Sequence, residues 1–351
     1  MGLYVINGKF MADAQSGIVR YGREMVKAMD SCLTESNDEV VLLIPPNALD
    51  IPELRNIQIL RYGKHTGILW EQLSLPRYLR NHPKGLCVNL CNVAPFFLRP
   101  GLTVIHDIMY KVNPSHYTTL RNRASRFWHM LQYRYLTWHE KRIITDSEFS
   151  LLEIQKHYPT ARSKIGVIPC AWQHVQEYAC SEDWQERYPF LRSGDFYFSL
   201  ATLAKNKNGT WLIDVAKRNP DSIFAIAGRH YETAAVTIPS NVRMLGFISD
   251  ADACAMIQHC RAFIYPSLYE GFGLPPLEAL ALGAKVISSN ATSLPEVLGD
   301  CVHYISPYDA DIDLDKVLLQ QVKEPEHTLS RYSWEKSAAL MLAAMRSCYT
   351  E

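Results

Sequence analysis

Short apolar runs alternate with amphipathic segments along the chain, and the whole pattern occurs twice. Runs rich in Val, Ile and Leu predict buried parallel strands, because a strand covered by helices on both faces shows no polar alternation. Six such runs lie in each half of the chain, at 3–6, 40–44, 86–90, 102–106, 142–145 and 165–168, and at 196–200, 223–227, 242–245, 262–265, 285–288 and 302–305. The pattern predicts two doubly wound α/β domains.

Segments with apolar residues three and four positions apart separate these runs and predict helices. They span 18–30, 69–79, 120–138, 150–157, 209–218, 252–259, 276–282, 313–322 and 334–348. The stretch 171–194 is polar and aromatic without clean periodicity, so we expect it to join the two domains. The predicted domains are 1–172 and 195–331, and a last helix within 332–351 is free to pack back on the first domain.

Composition narrows the class of protein. The chain has 351 residues, of which 48% are hydrophobic and 21% charged, as is typical of a globular protein. It contains no run of about 18 apolar residues and does not begin like a signal peptide, so we expect a cytoplasmic protein that is neither exported nor membrane-spanning. The nine cysteines lack zinc-site spacing and are predicted to be reduced thiols.

Charge is balanced overall but not along the chain. The formal net charge is zero, which argues against a nucleic-acid-binding protein that relies on bulk charge. Up to residue 172 there are 21 Lys and Arg against 14 Asp and Glu, and the remainder has 15 against 22. The basic first half is therefore expected to face something anionic.

The segment 262–284 is the strongest candidate for chemistry. A predicted strand ends near Tyr265, a loop holds Glu270-Gly-Phe-Gly273, and a helix opens at Pro275-Pro276. Glycines let backbone N–H groups approach an anion, and a helix N-terminus attracts it, so the pattern predicts a phosphate cradle. The alternative is a tight turn that needs glycine for steric reasons alone.

Two carboxylates flank this turn, Glu270 in the loop and Glu278 in the helix. A wholly helical span of eight residues would separate them by about 12 Å, whereas glycosidases hold their two carboxylates about 5 to 10 Å apart. The spacing therefore favours contacts to different parts of one long, hydroxyl-rich ligand. The alternative for Glu278 alone is an ordinary glutamate on a helix surface.

The run from Glu270 to Glu278 resembles the E-x7-E signature of the retaining glycosyltransferases of family 4. The downstream run 286–300, Val-Ile-Ser-Ser-Asn-Ala-Thr-Ser-Leu-Pro-Glu-Val-Leu-Gly-Asp, is similar to the bacterial polysaccharide-assembly members of that family, and Leu245-Gly-Phe-Ile-Ser-Asp250 matches its loop near the nucleotide base. The resemblance covers nearly the whole chain. It implies the GT-B fold, in which two Rossmann-like domains face each other across a cleft.

The resemblance also implies roles for residues of the second half. Glu278 would hydrogen-bond the ribose of the donor nucleotide, and Glu270 would face the donor sugar. Lys207 would contact the diphosphate. The remaining residues implied to bind the donor are Thr202, Lys205, Asn208, Phe247, Ile248, Gly271, Phe272, Gly273 and Leu274.

One departure from the family concerns the diphosphate. The family usually has an arginine at the position of Thr202 or of Asn206, and this chain has neither. Lys205 is the candidate for the second positive charge. The alternative for Lys205 and Lys207 is a solvated basic turn.

In the first half, Gly17 resembles the glycine of a loop whose helix N-terminus faces the donor pyrophosphate. His106 and Asp107 match a His-Asp pair of the family that lines the meeting point of donor sugar and acceptor, with His106 grouped with Glu270 and Lys207 as catalytic residues and Asp107 on the acceptor side. Trp70 and Glu71 are also placed on the acceptor side. The alternative for His106 is a hydrogen-bonded residue at a strand end.

The segment 118–142 carries six Lys or Arg, one acid and five aromatic residues. A basic, aromatic helix can lie on an anionic membrane surface, so this segment is a candidate for peripheral membrane contact. The alternative is that its aromatic side chains pack inward and only its arginines are solvated.

The resulting hypothesis is a retaining hexosyltransferase in cell-surface polysaccharide biosynthesis, such as that of lipopolysaccharide or capsule, acting at the inner face of the cell membrane. The donor would be a nucleotide-diphosphate sugar, with GDP-mannose favoured and dTDP-rhamnose next, and the acceptor a lipid-linked saccharide. No metal, no other cofactor and no nucleic-acid partner is expected. Two alternatives remain open, a nucleotide-sugar epimerase of the same fold and a catalytically silent subunit that supports another transferase.

Overall fold

The structure is a computed structural model, and it describes residues 2–34, 37–96, 98–200, 205–228 and 237–350. The chain divides into two compact units. The first unit comprises Met1–Cys170 and Ser333–Glu351, and the second comprises Ala171–Tyr332. The first predicted domain thus ends two residues earlier than expected, and the predicted joining stretch 171–194 lies within the second unit.

The first unit is built on a seven-stranded parallel sheet with the strand order β3-β2-β1-β4-β5-β6-β7. Its strands are β1 (Leu3–Asn7), β2 (Glu39–Ile44), β3 (Gln58–Arg61), β4 (Gly85–Asn89), β5 (Leu102–Val104), β6 (Arg142–Thr145) and β7 (Ile165–Val167). Its helices up to residue 170 are α1 (Gly17–Cys32), α2 (Gly67–Leu69), α3 (Leu75–Asn81), α4 (Met109–Val112), α5 (Leu120–His139) and α6 (Glu148–His157). A π-helical turn, Trp70–Ser74, joins α2 to α3.

The second unit is built on a six-stranded parallel sheet with the strand order β10-β9-β8-β11-β12-β13. Its strands are β8 (Phe196–Leu200), β9 (Ile223–Ala227), β10 (Val242–Gly246), β11 (Ala262–Tyr265), β12 (Val286–Ser289) and β13 (His303–Ile305). Its helices are α7 (Trp184–Arg187), α8 (Gly209–Arg218), α9 (Asp250–His259), α10 (Leu274–Ala281), α11 (Leu294–Leu298), α12 (Leu314–Leu318) and α13 (Glu326–Ser330).

The last helix, α14 (Trp334–Thr350), belongs to the first unit and packs against α1. Trp334 lies edge-on to Tyr21 of α1, with ring centroids 5.9 Å apart. Lys141 donates a hydrogen bond to the carbonyl of Cys348, at 2.6 Å. Apolar side chains on one face of the helix, Ala338, Met341, Leu342 and Met345, are buried.

The prediction of two doubly wound domains with parallel sheets is confirmed. All twelve predicted strands are present, and the sequence analysis missed only β3 among the described strands. β3 has only two apolar residues, Ile59 and Leu60, between exposed Gln58 and Arg61 at the sheet edge, so it lacks the continuous apolar run of a central strand. No helix among the described residues is both long and apolar enough to cross a membrane.

The prediction that all cysteines are reduced is wrong for one pair. The structure joins Cys180 and Cys254 in a disulfide, with Cα atoms 5.3 Å apart. The two residues meet because the stretch around Cys180 packs on α9, where the Ser181 amide donates to the carbonyl of Ala251 at 3.1 Å. Cysteine positions alone do not reveal that contact.

Glu140 follows α5 and provides a stability prediction for the first unit. Its side chain is buried and accepts a hydrogen bond from the Gly101 amide at 2.7 Å. Burial raises the pKa of this carboxyl to about 7, against the opposing effect of the Gly101 hydrogen bond. Because the folded pKa exceeds the unfolded one of about 4.5, the stability that protonated Glu140 contributes at low pH is lost as the pH rises through about 7.

We expect Glu140→Gln to stabilise the protein at pH 8 by up to about 3 kcal/mol, because an amide oxygen can accept the same hydrogen bond without a buried charge. At pH 4, below the pKa of both the folded and the unfolded state, the variant and the parent protein should melt at the same temperature. Melting curves at the two pH values, with the exposed Glu53→Gln as the control, check this. A variant that is less stable than the parent at pH 8 would contradict the assignment.

Candidate active site

The loops that follow β8 and β11 lie at the point where the second sheet changes direction. β8 and β11 are adjacent, whereas the connections from β8 to β9 and from β11 to β12 run to opposite sides. Ligands of doubly wound sheets bind at the carboxyl ends of strands at such a point. Lys207 follows β8 and Glu270 follows β11, so the topology brings these two predicted residues to one place.

Lys207 and Glu270 form the centre of a compact polar cluster. The Lys207 ammonium lies 2.7 Å from Oε1 of Glu270 and donates to the Tyr265 hydroxyl at 2.8 Å. The Tyr265 hydroxyl donates to the same Oε1 at 2.9 Å, and Ser267 Oγ is also within hydrogen-bonding distance of it. The side chains of Lys207 and Glu270 remain 28% and 13% exposed, so a ligand can reach both.

Neighbouring charges hold the cluster in one ionisation state. Burial disfavours the ammonium form of Lys207, but the adjacent Glu270 carboxylate outweighs it and the net effect raises the pKa of Lys207. Burial, followed by the negative charge of Glu270, raises the pKa of Tyr265. Lys207 therefore stays a cation and Tyr265 a neutral hydroxyl at any physiological pH.

Hydrogen bonds from the segment between β12 and α11 hold the backbone around Glu270 in place. The Glu270 amide donates to Thr292 Oγ1 at 3.1 Å. The buried Ser293 hydroxyl lies 3.1 Å from the carbonyl of Glu270 and 3.0 Å from that of Phe272. These contacts place the carboxylate without the help of a ligand.

Two helices begin next to the cluster. α8 begins at Gly209, after Asn208 with φ +56°, and α10 begins at Leu274, after Gly273 with φ +100°. Gly273 is required twice over, because that φ disfavours a side chain and because a Cβ there would collide with the side chain of Leu294. Both helices present a partial positive charge to an anion, and α8 also presents free amide groups, whereas Pro275 and Pro276 of α10 have no N–H group to donate.

Glu278 is buried in α10, where Oε1 accepts a hydrogen bond from Nε2 of His174 at 2.7 Å. The exposed fractions are 4% for Glu278 and 2% for His174. The alternative interpretation, in which Glu278 is an ordinary glutamate on a helix surface, is therefore excluded. The predicted ribose contact stays a prediction, and His174 is the residue that would orient the carboxylate for it.

The other donor residues predicted from the resemblance are distributed as follows. Thr202 lies outside the described residues. The Asn208 side chain donates to the carbonyls of Pro266 and Pro307, at 3.1 and 2.7 Å, and so ties three loops together. Lys205 is exposed in the turn before Lys207, Phe247 is exposed and Ile248 half-buried after β10, and Gly271, Phe272 and Leu274 are buried beside Glu270.

In the first unit, His106 is buried after β5 and uses both ring nitrogens. Nδ1 lies 2.6 Å from Oδ2 of Asp146, and Nε2 lies 2.9 Å from the carbonyl oxygen of Leu90. Both neighbours are acceptors, so both ring nitrogens donate and the ring is an imidazolium. Burial opposes this charge, but Asp146 outweighs it and raises the pKa of His106 to about 10.

An imidazolium with both N–H groups engaged has no nitrogen free to take a proton. His106 is therefore not a general base in this arrangement. The catalytic role implied by the resemblance stays a prediction, and His106 could fill that role only by positioning other groups or through its positive charge. Its backbone is fixed as well, since its amide donates to Asn92 Oδ1 at 2.7 Å and Ser150 Oγ donates to its carbonyl at 3.1 Å.

The other site residues predicted in the first unit lie at the surface, in the core or beside a cavity. Gly17 is exposed at the start of α1, where Ser16 caps the helix by accepting from the Val19 amide. Asp107 accepts a hydrogen bond from the Met109 amide at 2.8 Å. Trp70 is completely buried and donates to the carbonyl of Tyr62, so its predicted acceptor contact is replaced by a packing role. Glu71 lines a cavity within the unit.

Several neighbours of the predicted residues were missed from the sequence. Thr292 and Ser293 lie in the family-like run 286–300, so that run was the available signal for them. Tyr265 and Ser267 lie next to the Glu270 loop in sequence and show no motif of their own. His174 and Asp146 carry no local signal, because their partners are 104 and 40 residues away. No group of three or more potential metal ligands occurs in the described part of the chain.

The model of the family "Glycosyl transferases group 1" matches residues 181–345. The chain is 27% identical over 333 residues to the O-antigen chain mannosyltransferase B of Escherichia coli, covering 84% of each protein. It is 40% identical over 112 residues to the serotype-specific mannosyltransferase WbdA of Escherichia coli, a match that covers 29% of this chain and 14% of that protein.

Among solved structures, the sucrose-phosphate synthase of Thermosynechococcus elongatus superposes with a TM-score of 0.72 at 16% identity, covering 100% of this chain and 99% of that one. This likeness supports the GT-B fold. Together with the family model, which matches a little under half of the chain, and with the mannosyltransferase B relative, which extends over most of it, this likeness supports one conclusion: residues 181–345 form a group 1 glycosyl transferase domain, and the chain is similar to hexosyltransferases of the family 4 type.

Proposed function

We propose that this glycosyltransferase transfers mannose from GDP-mannose to a lipid-linked saccharide, with retention at the anomeric carbon, during assembly of a cell-surface polysaccharide. The observation that carries the proposal is the Lys207–Glu270 pair at the carboxyl ends of β8 and β11, 2.7 Å apart and accessible. A cation and a carboxylate side by side match a diphosphate joined to a hydroxyl-bearing sugar.

The leaving diphosphate gains charge as the bond to the sugar breaks, and fixed donors lower the energy of that state. Lys207 supplies an ammonium that stays charged, and the first amides of α8 and the Leu274 amide of α10 supply further donors. The described hydrogen bonds to the Glu270 carboxylate all go to Oε1, which leaves Oε2 for hydroxyls of the donor sugar. Glu278, held by His174, would take the ribose hydroxyls.

Retention fits a reaction on one face of the sugar. His106 has no free ring nitrogen and so does not deprotonate the acceptor, which supports the leaving phosphate as the base. The acceptor hydroxyl would then lose its proton to the phosphate oxygen as the new glycosidic bond forms and the old one breaks. Mannose and a polysaccharide product are supported by the two relatives reported above, one named as an O-antigen chain mannosyltransferase and the other as a serotype-specific mannosyltransferase.

A transfer assay with a donor panel tests this proposal. The purified chain is incubated with GDP-mannose, dTDP-rhamnose or UDP-glucose and a synthetic mannobioside that carries a hydrocarbon tail. We expect product from GDP-mannose only, and an α-linkage by NMR, because the donor is α-linked. A β-linked product would overturn retention, and preferential use of another donor would overturn mannose.

The two alternatives give different outcomes in the same assay. An epimerase would convert the donor sugar without acceptor and leave the mannobioside unchanged. A silent subunit would release no nucleoside diphosphate from any donor, with or without the mannobioside. Either result would remove the proposal.

We further propose that α5 rests on the inner face of an anionic membrane. Four large apolar residues recur along the helix at spacings of 7, 4 and 7, which puts them on one face, and they are 83%, 66%, 43% and 70% exposed: Leu120, Phe127, Leu131 and Trp138. Exposed Arg121, Arg123 and Arg134 flank them, whereas Tyr133 is buried. Apolar insertion with arginines at the headgroups is the arrangement of an interfacial helix.

Vesicle co-sedimentation checks the membrane contact. The protein should bind vesicles containing phosphatidylglycerol, and Phe127→Ser with Trp138→Ser should reduce binding about tenfold or more, since each aromatic contributes about 1 to 2 kcal/mol by burial. High salt should also weaken binding. Tyr308→Ser, at a position 83% exposed in the second unit, is the control. Equal binding by the double variant would contradict the proposal.

A further inference from the structure

Three large apolar side chains are exposed where the helical crossover from β3 to β4 begins. They are Ile68 and Leu69 of α2 and Leu73 of the π-helical turn, and they are 52%, 60% and 50% exposed. We call these three residues the apolar tip. The opposite side of the same turn is buried, since Trp70 is 0% and Glu71 1% exposed. A cluster of apolar side chains in water is unfavourable and marks an interaction surface.

Basic side chains dominate the surface of the segment that carries the tip. Residues 54–100 include seven Lys or Arg and a single acid, Glu71. The acid is buried, whereas all seven bases are exposed: Arg55, Arg61, Lys64, Arg77, Arg80, Lys84 and Arg99. This part of the first unit therefore presents positive charge to the solvent without a compensating acid from its own sequence.

Two of these bases continue the line of the tip along the helix. Arg77 and Arg80 of α3 lie four and seven residues after Leu73, spacings that put them on the same side of a helix. At 1.5 Å per residue they lie about 6 and 10 Å further along the axis than Leu73. Interfacial helices bury their apolar side chains about 5 to 10 Å into the boundary between headgroups and acyl chains, so arginines at this distance reach the lipid phosphates.

The tip adjoins the exposed face of α5. The crossovers from β3 to β4 and from β5 to β6 run in the same direction along the sheet, and right-handed crossovers of that kind pack on the same face of it. The loop after β4 bridges the two, because the amide groups of Gln72 and Gln132 both donate to the Ala94 carbonyl, at 3.2 and 3.1 Å. Ile68 and Trp128 also line one cavity. The tip and α5 therefore lie side by side on the first unit.

The charge of this surface decides what covers it. In a two-fold symmetric dimer the same patch of each copy would face the other, which would oppose two basic surfaces. A polyanion dissolved in water would match the arginines but would leave the leucines without an apolar environment. An anionic bilayer offers phosphates to the arginines and hydrocarbon to the tip at once.

We propose that the apolar tip inserts into an anionic lipid bilayer, as a membrane contact separate from α5, while Arg77 and Arg80 bind the lipid phosphates. The inference rests on the proposed function for the presence of the enzyme at a membrane. It adds the orientation of the first unit. A single interfacial helix leaves the unit free to rotate about the helix axis, whereas two contacts on one face of the sheet fix which side meets the bilayer.

Co-sedimentation of the whole protein with phosphatidylglycerol vesicles tests the apolar contact. Leu69→Ser with Leu73→Ser, the tip variant, should weaken binding about tenfold or more, because two half-exposed leucines lose their transfer into hydrocarbon. The matched control is Leu319→Ser with Leu340→Ser, at positions 82% and 53% exposed in the second unit and on α14. It should bind like the parent protein. A tip variant that loses no more than this control would overturn the proposal.

Arg77→Gln with Arg80→Gln tests the electrostatic contact. Binding to phosphatidylglycerol should fall about tenfold, and the remaining binding should depend less on salt. Binding to vesicles of phosphatidylcholine, which has no net charge, should be unchanged. Arg192→Gln with Arg218→Gln, two exposed arginines of the second unit, is the control. An equal loss for the control pair would show that total charge, and not this surface, governs binding, and would overturn the role of the two arginines.

Leu73→Trp reports insertion directly. On phosphatidylglycerol vesicles with brominated acyl chains, the fluorescence of this variant should be quenched more than that of the parent protein. Leu340→Trp, at the exposed position on α14, should add no quenching. If Leu73→Trp bound the vesicles without additional quenching, the tip would not reach the hydrocarbon and the proposal would be wrong.

Comparison with the α5 variant Phe127→Ser with Trp138→Ser separates the two membrane contacts. If only the α5 variant lost binding, the tip proposal would fall and the contact of α5 would stand. If only the tip variant lost binding, the reverse would hold. A parent dimer in analytical ultracentrifugation that the tip variant dissociates, without binding of either protein to vesicles, would assign the tip to a second copy of the chain and overturn the proposal.

The transfer assay separates this proposal from the proposed function. The tip variant should transfer mannose to the mannobioside in solution at the parental rate, but more slowly when the mannobioside is embedded in phosphatidylglycerol vesicles. An equal loss in both forms would place the leucines in the acceptor site and overturn their membrane role. If the parent protein transfers no sugar in either form, the proposed function fails, and the vesicle and quenching measurements still decide the role of the tip.

Discussion

Replacing Lys207 by alanine is expected to lower kcat/KM for sugar transfer by about 100- to 1,000-fold, the cost of removing one fixed donor from a developing negative charge. The ammonium lies 2.7 Å from Glu270 and 2.8 Å from the Tyr265 hydroxyl. Both neighbours remain in the variant and can still bond to each other at 2.9 Å, so the loop should keep its shape.

The matched control is Lys217→Ala, which removes an exposed lysine of the same unit that pairs with Asp214 on the surface of α8. It should transfer sugar at the parental rate. Steady-state kinetics of both variants, with their melting temperatures, check the prediction. If folded Lys207→Ala lost less than about fivefold in kcat/KM, Lys207 would not be a ligand of the diphosphate.

The second large effect concerns stability. Asp146→Asn should destabilise the protein by about 3 to 5 kcal/mol at pH 7, because it leaves the buried His106 imidazolium without its counter-charge. The Asp146 carboxylate is 2.6 Å from Nδ1 of His106, and both residues are at most 5% exposed.

The pH dependence of this effect has a definite sign. The pKa of His106 is raised from 6.5 to about 10. The stability that this pair contributes is therefore fully present below about pH 6.5 and is lost as the pH rises through about 10. The difference between Asp146→Asn and the parent protein should shrink over that range.

Melting curves at pH 6, 8 and 10 measure this difference, with the exposed Asp50→Asn as the control. Asparagine tolerates the positive φ of position 50, +48°, so the control should melt like the parent protein. A destabilisation that stays constant with pH would show that the His106 ring is not the group whose charge Asp146 compensates.

Both sheets were predictable from the sequence because their strands are buried on two faces. Such strands are continuous apolar runs, and runs such as 40–44 and 262–265 stand out without any knowledge of the fold. β3 was not predicted, because residues of an edge strand such as Gln58 and Arg61 are exposed and need not be apolar. The stretch 171–194 was read as a linker because its contacts, among them Cys180 with Cys254, are with residues distant in sequence.

The centre of the candidate site was predictable for a different reason. Glu270 and Lys207 lie in loops after strands, and doubly wound sheets collect such loops at one edge. Their supporting residues were not predictable in this way, because Tyr265 is part of an ordinary strand and His174 lies in a segment without periodicity. The sequence placed Trp70 and Glu71 together, whereas the π-helical turn buries Trp70 in the core and exposes Glu71 to the cavity.

The central claim is that the second unit binds a nucleoside diphosphate through Lys207, Glu270 and Glu278. The most direct test is the shift in melting temperature with GDP, UDP and dTDP for the parent protein and for Glu278→Ala. We predict stabilisation by GDP above the other two, growing with concentration by mass action, and a much smaller shift in the variant. No shift with any nucleotide, or an equal shift in Glu278→Ala, would contradict the donor site described here.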